Sequence, residues 1–156
     1  LRDSYGIYYS HSDFGIHNHS IDKLCFSIQF REVFETRDGW FVEHRPHFNA
    51  GYKDTFGNLT ISNRFRVELR TYEIYDTSMR YRNKLEFGLK VKKFFFFVND
   101  EVFFTHDDVP RNRNSLGMTH KTTKSLKLGL SYLLQQNFKD VLILNHATYV
   151  QISLKI

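Results

Sequence analysis

Three short groups of residues have types that could do chemistry. In "IHNHS", His17 and His19 stand two apart. On an extended strand that spacing turns both imidazoles to one side, which is a start for a metal site. As polar residues of a turn they need no ligand, and that is the expectation here. "HDDVPRN" opens with His106, Asp107 and Asp108, which could hold a cation at a loop or simply face water before Pro110. Ser10, His11 and His47 are the residue types of a lipid-processing hydrolase. No spacing ties a nucleophile to a base and an orienting acid among them. The expectation is therefore no catalytic residue, no metal and no cofactor. Cys25 is the one cysteine, which excludes an intrachain disulfide and a cysteine-based zinc site.

The stronger pattern is a ladder of charge. "NRFRVELRTYEI" (63–74) sets Arg64, Arg66, Glu68 and Arg70 at alternate positions, with Phe65, Val67 and Leu69 between them. Guanidinium and carboxylate groups at period two share one face of a strand, where planar forks can grip carboxylates at two points. The same alternation runs through most of the chain. "KLCFSIQFRE" sets Leu24, Phe26, Ile28 and Phe30 against Cys25, Ser27, Gln29 and Arg31. "FVEHRPHFNAGY" opposes Val42, Pro46, Phe48, Ala50 and Tyr52 to Glu43, Arg45, His47, Asn49 and Gly51. "RYRNKLEFGLKVK" and "SLKLGLSYLL" repeat the theme, and "HATYVQISLKI" closes it.

This periodicity predicts an all-β chain of about nine visible strands, each roughly 10–17 residues long. They are expected to begin near residues 4, 22, 39, 57, 78, 94, 111, 124 and 141. Turn signals fall at "TRDG" (36–39), "KDTFGN" (53–58), "YDTS" (75–78), "HDDVPRN" (106–112) and "NFKD" (137–140). The boundary near Lys92–Phe94 is the exception, because "KKFFFF" carries no turn signal.

Which face is inside follows from composition. The chain of 156 residues is 17% aromatic, with sixteen Phe and nine Tyr, yet its mean hydropathy is only −0.46. Strands of this length exceed the usual globular strand and match what a tilted strand needs to cross a bilayer. The Arg-bearing face also carries Gly51, Gly88, Gly117, Gly129, Ser115 and Ser131, small residues that suit a crowded concave interior. The expected fold is an antiparallel up-and-down transmembrane β-barrel of about 8–10 strands, apolar outside, with an Arg/Glu-rich lumen. The rival is a soluble lipocalin-like ligand-binding barrel, with the faces reversed.

Expected lumen cations are Arg31, Arg45, Arg64, Arg66, Arg70, Arg80, Arg82, Lys84, Lys90, Lys92, Arg113 and Lys127; the anions are Glu43, Glu68, Glu86 and Glu101. Unpaired buried charge is costly, so these groups must pair or water must enter. A net charge of +5 and a pI near 9.3 would also suit a nucleic-acid binder. Bases and aromatics on opposite faces exclude that reading. No apolar run approaches the roughly 18 residues of a membrane helix.

Four pieces carry a family resemblance: "YYSHSDFG" (8–15), "GWFVEHRPHFNAGYK" (39–53), "NRFRVELR" (63–70) with "RYRNKL" (80–85), and "NDEVFF" (99–104) with "RNRNSLGM" (111–118). In this order they resemble the bacterial family called "domain of unknown function 2490". The resemblance implies a Gram-negative envelope protein, an outer-membrane β-barrel with no assigned activity. The chain departs from the family in having almost nothing before "YYSHSDFG", and from outer-membrane barrels generally in ending on Ile156 instead of an aromatic.

The expected function is that of a small outer-membrane barrel, a structural or accessory subunit of a larger outer-membrane assembly, in contact with outer-membrane lipids. A narrow anion-preferring channel is the alternative. Residues 1–156 form one domain. Bacterial single-chain barrels have even strand numbers and periplasmic termini, so nine visible strands imply one more before Leu1. On that count "TRDG", "YDTS", "HDDVPRN" and "NFKD" face outward from the cell. The connections near 18–22, 53–57, 92–94 and 122–124 face the periplasm.

Overall fold

Alternating polar and apolar residues over long runs can bury only one face, and such runs pair most simply with their neighbours in sequence. The computed structural model describes residues 9–18, 23–36, 40–72, 77–105, 108–123, 125–138 and 142–154. Within them lie β1 (Tyr9–Asn18), β2 (Leu24–Thr36), β3 (Trp40–Phe56), β4 (Leu59–Tyr72), β5 (Ser78–Val91), β6 (Phe94–Thr105), β7 (Asp108–Lys121), β8 (Leu126–Phe138) and β9 (Leu142–Leu154). They form one sheet in the order β1 to β9, and every pairing is antiparallel. No helix is present among the described residues, and so none is long and apolar enough to cross a membrane.

Several boundaries differ from the expectation. β3 runs through Phe56, so "KDTFGN" contributes only Gly57 and Asn58 to the turn. β7 begins at Asp108, earlier than expected, and takes Pro110 into the strand. Its pairing with β6 is irregular there, between Phe103 and Thr105, which spares a ladder bond that proline cannot donate. Asn137 and Phe138 of "NFKD" close β8. Lys92 and Lys93 form a two-residue turn despite the missing signal. The first residue of each tight turn has positive φ: Gly57 at 60° and Lys92 at 54°. Glycine takes that conformation freely, whereas lysine takes it at a steric cost.

Burial is inverted relative to a soluble sheet. Ile28, Val150 and Ile152 are 66%, 77% and 68% exposed, while Glu68 is fully buried and Arg66 is 6% exposed. The described residues form a single sheet with no second layer, and such a sheet can bury one face only by curling around it. The charged face is therefore the inner one. This is the reverse of a lipocalin-like chamber, whose inner face would be apolar.

Candidate functional site

β4 and β5 set the centre of the inner face. Their register places Arg66 opposite Arg82 and Glu68 opposite Arg80, with all four side chains on the same side. Two guanidinium groups facing each other repel, and Glu68 resolves the conflict. Its Oε1 accepts from Arg82 Nη1 at 2.8 Å and Arg66 Nη1 at 3.3 Å; its Oε2 accepts from Arg80 Nε at 2.7 Å. Arg82 then reaches across to β6 and donates to Glu101 Oε1 from Nη2 at 2.7 Å and from Nε at 3.2 Å. Arg64 on β4 meets the same oxygen at 3.0 Å by passing over β5, a reach that only a curled sheet allows. Glu43 on β3 holds a separate cluster, in which Arg45 and Arg70 each donate two bonds to its carboxylate, at 2.7–2.8 Å and 2.7–3.2 Å.

Six arginines thus share three carboxylates. Part of the excess is absorbed by an aromatic ring. Arg82, Arg113 and Arg80 lie 4.7, 4.8 and 5.7 Å from the centroid of buried Phe103, within cation–π range. Neutral amides take up more: Arg66 Nε donates to Asn49 Oδ1 at 2.5 Å, and Asn49 Nδ2 donates to Ser27 and Gln29. His47 Nδ1 donates to the Arg45 carbonyl, and its Nε2 lies 2.8 Å from the Gln29 amide oxygen.

The structure brings Arg45, Arg64, Arg66, Arg70, Arg80, Arg82, Glu43, Glu68 and Glu101 into this network. Arg113 lies on the same face, but its bond goes to Gln135 at 2.7 Å, not to a carboxylate. Glu86 pairs with Lys84 at 2.7 Å instead of an arginine. Lys90, Lys92 and Lys127 sit at the other end of the face, around a cavity of about 460 Å³. Phe103 was not anticipated as a centre of the network, although its parity with Glu101 was legible. His47 is a network member and is bonded to no serine. The side chains of Ser10, His11, His17 and Asp108, and all of His19, His106 and Asp107, lie outside the described residues. Among those described, no group of His, Cys, Asp and Glu could hold a metal ion.

Between the network and the lysine end, the inner face is filled by aromatic rings over glycines. A Cβ on Gly88 would stand 2.1 Å from Phe95 Cζ; one on Gly117 would stand 2.7 Å from both Phe97 Cζ and the Leu130 carbonyl oxygen. Close approach, not turn geometry, requires glycine at both positions.

Residues 8–141 match the model of a family described as "Protein of unknown function (DUF2490)". The chain belongs to that family. No curated protein and no solved structure matches it. The DUF2490 match spans β1 to β8, and so includes every member of the network.

Proposed function

We propose that this DUF2490 protein is a transmembrane β-barrel of the bacterial outer membrane, acting as a structural or accessory subunit of a larger outer-membrane assembly. One observation carries the reading: the apolar face is the exposed one and the ionic face is the buried one. Water gives no reason for that arrangement. A bilayer does, because lipid receives the outward Leu, Phe, Ile and Val while the sheet curls into a barrel of about eight to ten strands around its charges. Interlocked Arg–Glu pairs and the Phe95 and Phe97 rings fill the lumen, which suits a structural barrel better than a wide pore.

An accessory role is supported by the outer face. Asn63, Asn83, Asp100, Asn112 and Asn114 share the outward parity of β4 to β7 and form a polar belt across them, and His146 lies beyond Leu134 of β8 on β9. Exposed apolar residues flank the belt on both sides, Phe87, Val98 and Leu116 below, Tyr81 and Phe104 above. Asn63 and Asn83 meet this by bonding to each other at 3.0 Å, Asn114 Nδ2 donates to Asn112 Oδ1 at 3.3 Å, and His146 Nδ1 bonds to the Tyr132 hydroxyl. Polar groups at such a depth are costly against hydrocarbon. A second membrane protein offering hydrogen-bond groups would satisfy the Asp100 carboxylate and the remaining amide groups.

Two measurements test the reading. The protein should stay with the outer-membrane fraction through a carbonate wash; release by carbonate sinks the barrel. Mild detergent should extract it together with a larger outer-membrane protein, and Asp100→Leu with Asn83→Leu should free it from that partner without unfolding it. The anion-channel reading rests on the arginine excess and on a cavity of about 340 Å³ beside Arg64. A steady anion-selective current from folded protein in planar bilayers would favour it over the accessory role.

A further inference from the structure

The cavity at the hairpin end of the inner face has a different chemistry from the Arg–Glu network. Among the described residues it is lined by Lys53, Lys90, Lys92, Lys93, Lys121 and Lys127, and none of them contributes a carboxylate to its wall. Lys90, Lys121 and Lys127 hold the end inward positions of β5, β7 and β8, and Lys53 the last inward position but one of β3, so their stems start from the inner face. Lys121 and Lys127 are direct cross-strand partners, an arrangement of like charges that weakens a sheet. Lys92 takes the positive-φ position that Gly57 fills in the neighbouring turn. The nearby Asp54 does not help: it has outward parity and is engaged by Lys23 Nζ at 2.6 Å and by Tyr52.

The lysine backbones are also fixed. The Lys90 N–H donates to the Asn58 carbonyl in the β3–β4 turn at 2.8 Å, and the Lys121 N–H donates to the Lys93 carbonyl in the β5–β6 turn at 2.9 Å. Both strand ends are tied to the neighbouring hairpin, so the points from which the stems start are fixed around the opening while the ammonium groups stay exposed. Phe95 and Thr119 form part of the wall, supplying an apolar surface and one hydroxyl.

Lysines that served only to solvate the strand ends would need none of this. They would gain from facing outward, from alternating with acids and from a glycine in the turn. We propose that this cavity is a binding site for a compact polyvalent anion carrying phosphate groups. Lysine binds phosphate as a flexible point charge, and several converging on about 460 Å³ match a small polyphosphate or a phosphate-bearing lipid headgroup at the opening. A bound polyanion would relieve the Lys121–Lys127 repulsion.

Calorimetric titration of the folded protein in zwitterionic detergent with tripolyphosphate tests this directly. Saturable binding is expected, weakening steeply as salt is raised. Lys90→Gln with Lys127→Gln should weaken it by on the order of tenfold or more. Lys92→Gly, which removes a charge while easing the turn, should also weaken it, whereas Lys23→Gln, outside the cavity, should leave it unchanged. Vesicles of phosphatidylglycerol against phosphatidylcholine form the second arm. Lysine-dependent binding to the anionic vesicles without tripolyphosphate binding would identify a headgroup as the source of the phosphate. If neither probe binds saturably, if binding survives both lysine variants, or if only an acidic protein partner is captured, the proposal is overturned. Native mobility in a heat-modifiability gel establishes that each variant is folded.

Discussion

The two ends of the inner face are both rich in cations, and they treat them in opposite ways. At one end the cations are arginines, and each carboxylate is shared by two or three of them. At the other they are lysines, and none of the six meets an acid of the cavity wall among the described residues. The choice of residue fits the task. A planar guanidinium can be locked by several directed bonds and still lie flat on Phe103; an ammonium on a long stem stays hydrated and mobile. At the Arg end every carboxylate is engaged by two or more guanidiniums, with only Arg64 Nε and Arg113 Nε buried and unbonded among the described arginines, and the Lys end is left with capacity to spare. Charge on the same face of the same sheet is therefore structural at one level and available at the other.

The sharpest way to break that contrast is to remove a carboxylate from the complete end. Glu68→Ala strips Arg66, Arg80 and Arg82 of a common acceptor in a fully buried position. A loss on the order of 3 kcal/mol is expected in urea unfolding of protein folded into lipid. An unchanged midpoint would mean that water screens the network, so that the two ends do not differ and the pore gains ground. A smaller effect is expected at Phe103. Phe103→Leu keeps the apolar bulk and removes the ring that three guanidiniums approach, at a cost of about 1–2 kcal/mol in the same assay. A neutral result would assign the excess charge wholly to amides and water. The smallest change should have the opposite sign. Lys92→Gly relieves a positive φ and removes like charge, so stability should rise by about 1 kcal/mol. Destabilisation by Lys92→Gly would mean that the lysine end depends on its charges for folding, and would erase the distinction.

Much of this was legible in the residues. Period-two alternation identifies strands, and parity alone puts Arg64, Arg66, Glu68 and Arg70 on one face and Phe65, Val67 and Leu69 on the other. The turns were less readable. Gly57 announces its hairpin; Lys92 and Lys93 do not, because lysine is seldom found at a positive φ and carries no turn signal. Pro110 suggested a loop and instead sits in β7, where the irregular pairing removes its usual penalty. Glu86 looked equivalent to Glu101 by parity, yet one meets Lys84 and the other meets Arg64 and Arg82.

The sequence by itself determined the class of structure and the segregation of the two faces, because alternation is a local property set by the geometry of one extended chain. Only the tertiary structure decided which acid meets which base. Partner choice depends on the register between strands and on how tightly the sheet curls. Arg64 reaches Glu101 over an intervening strand, and three arginines from two strands, β5 and β7, converge on Phe103. The lysine ring is likewise a product of assembly: residues up to 74 positions apart, from Lys53 to Lys127, become neighbours because hairpins that share one end of the sheet bring them to the same opening.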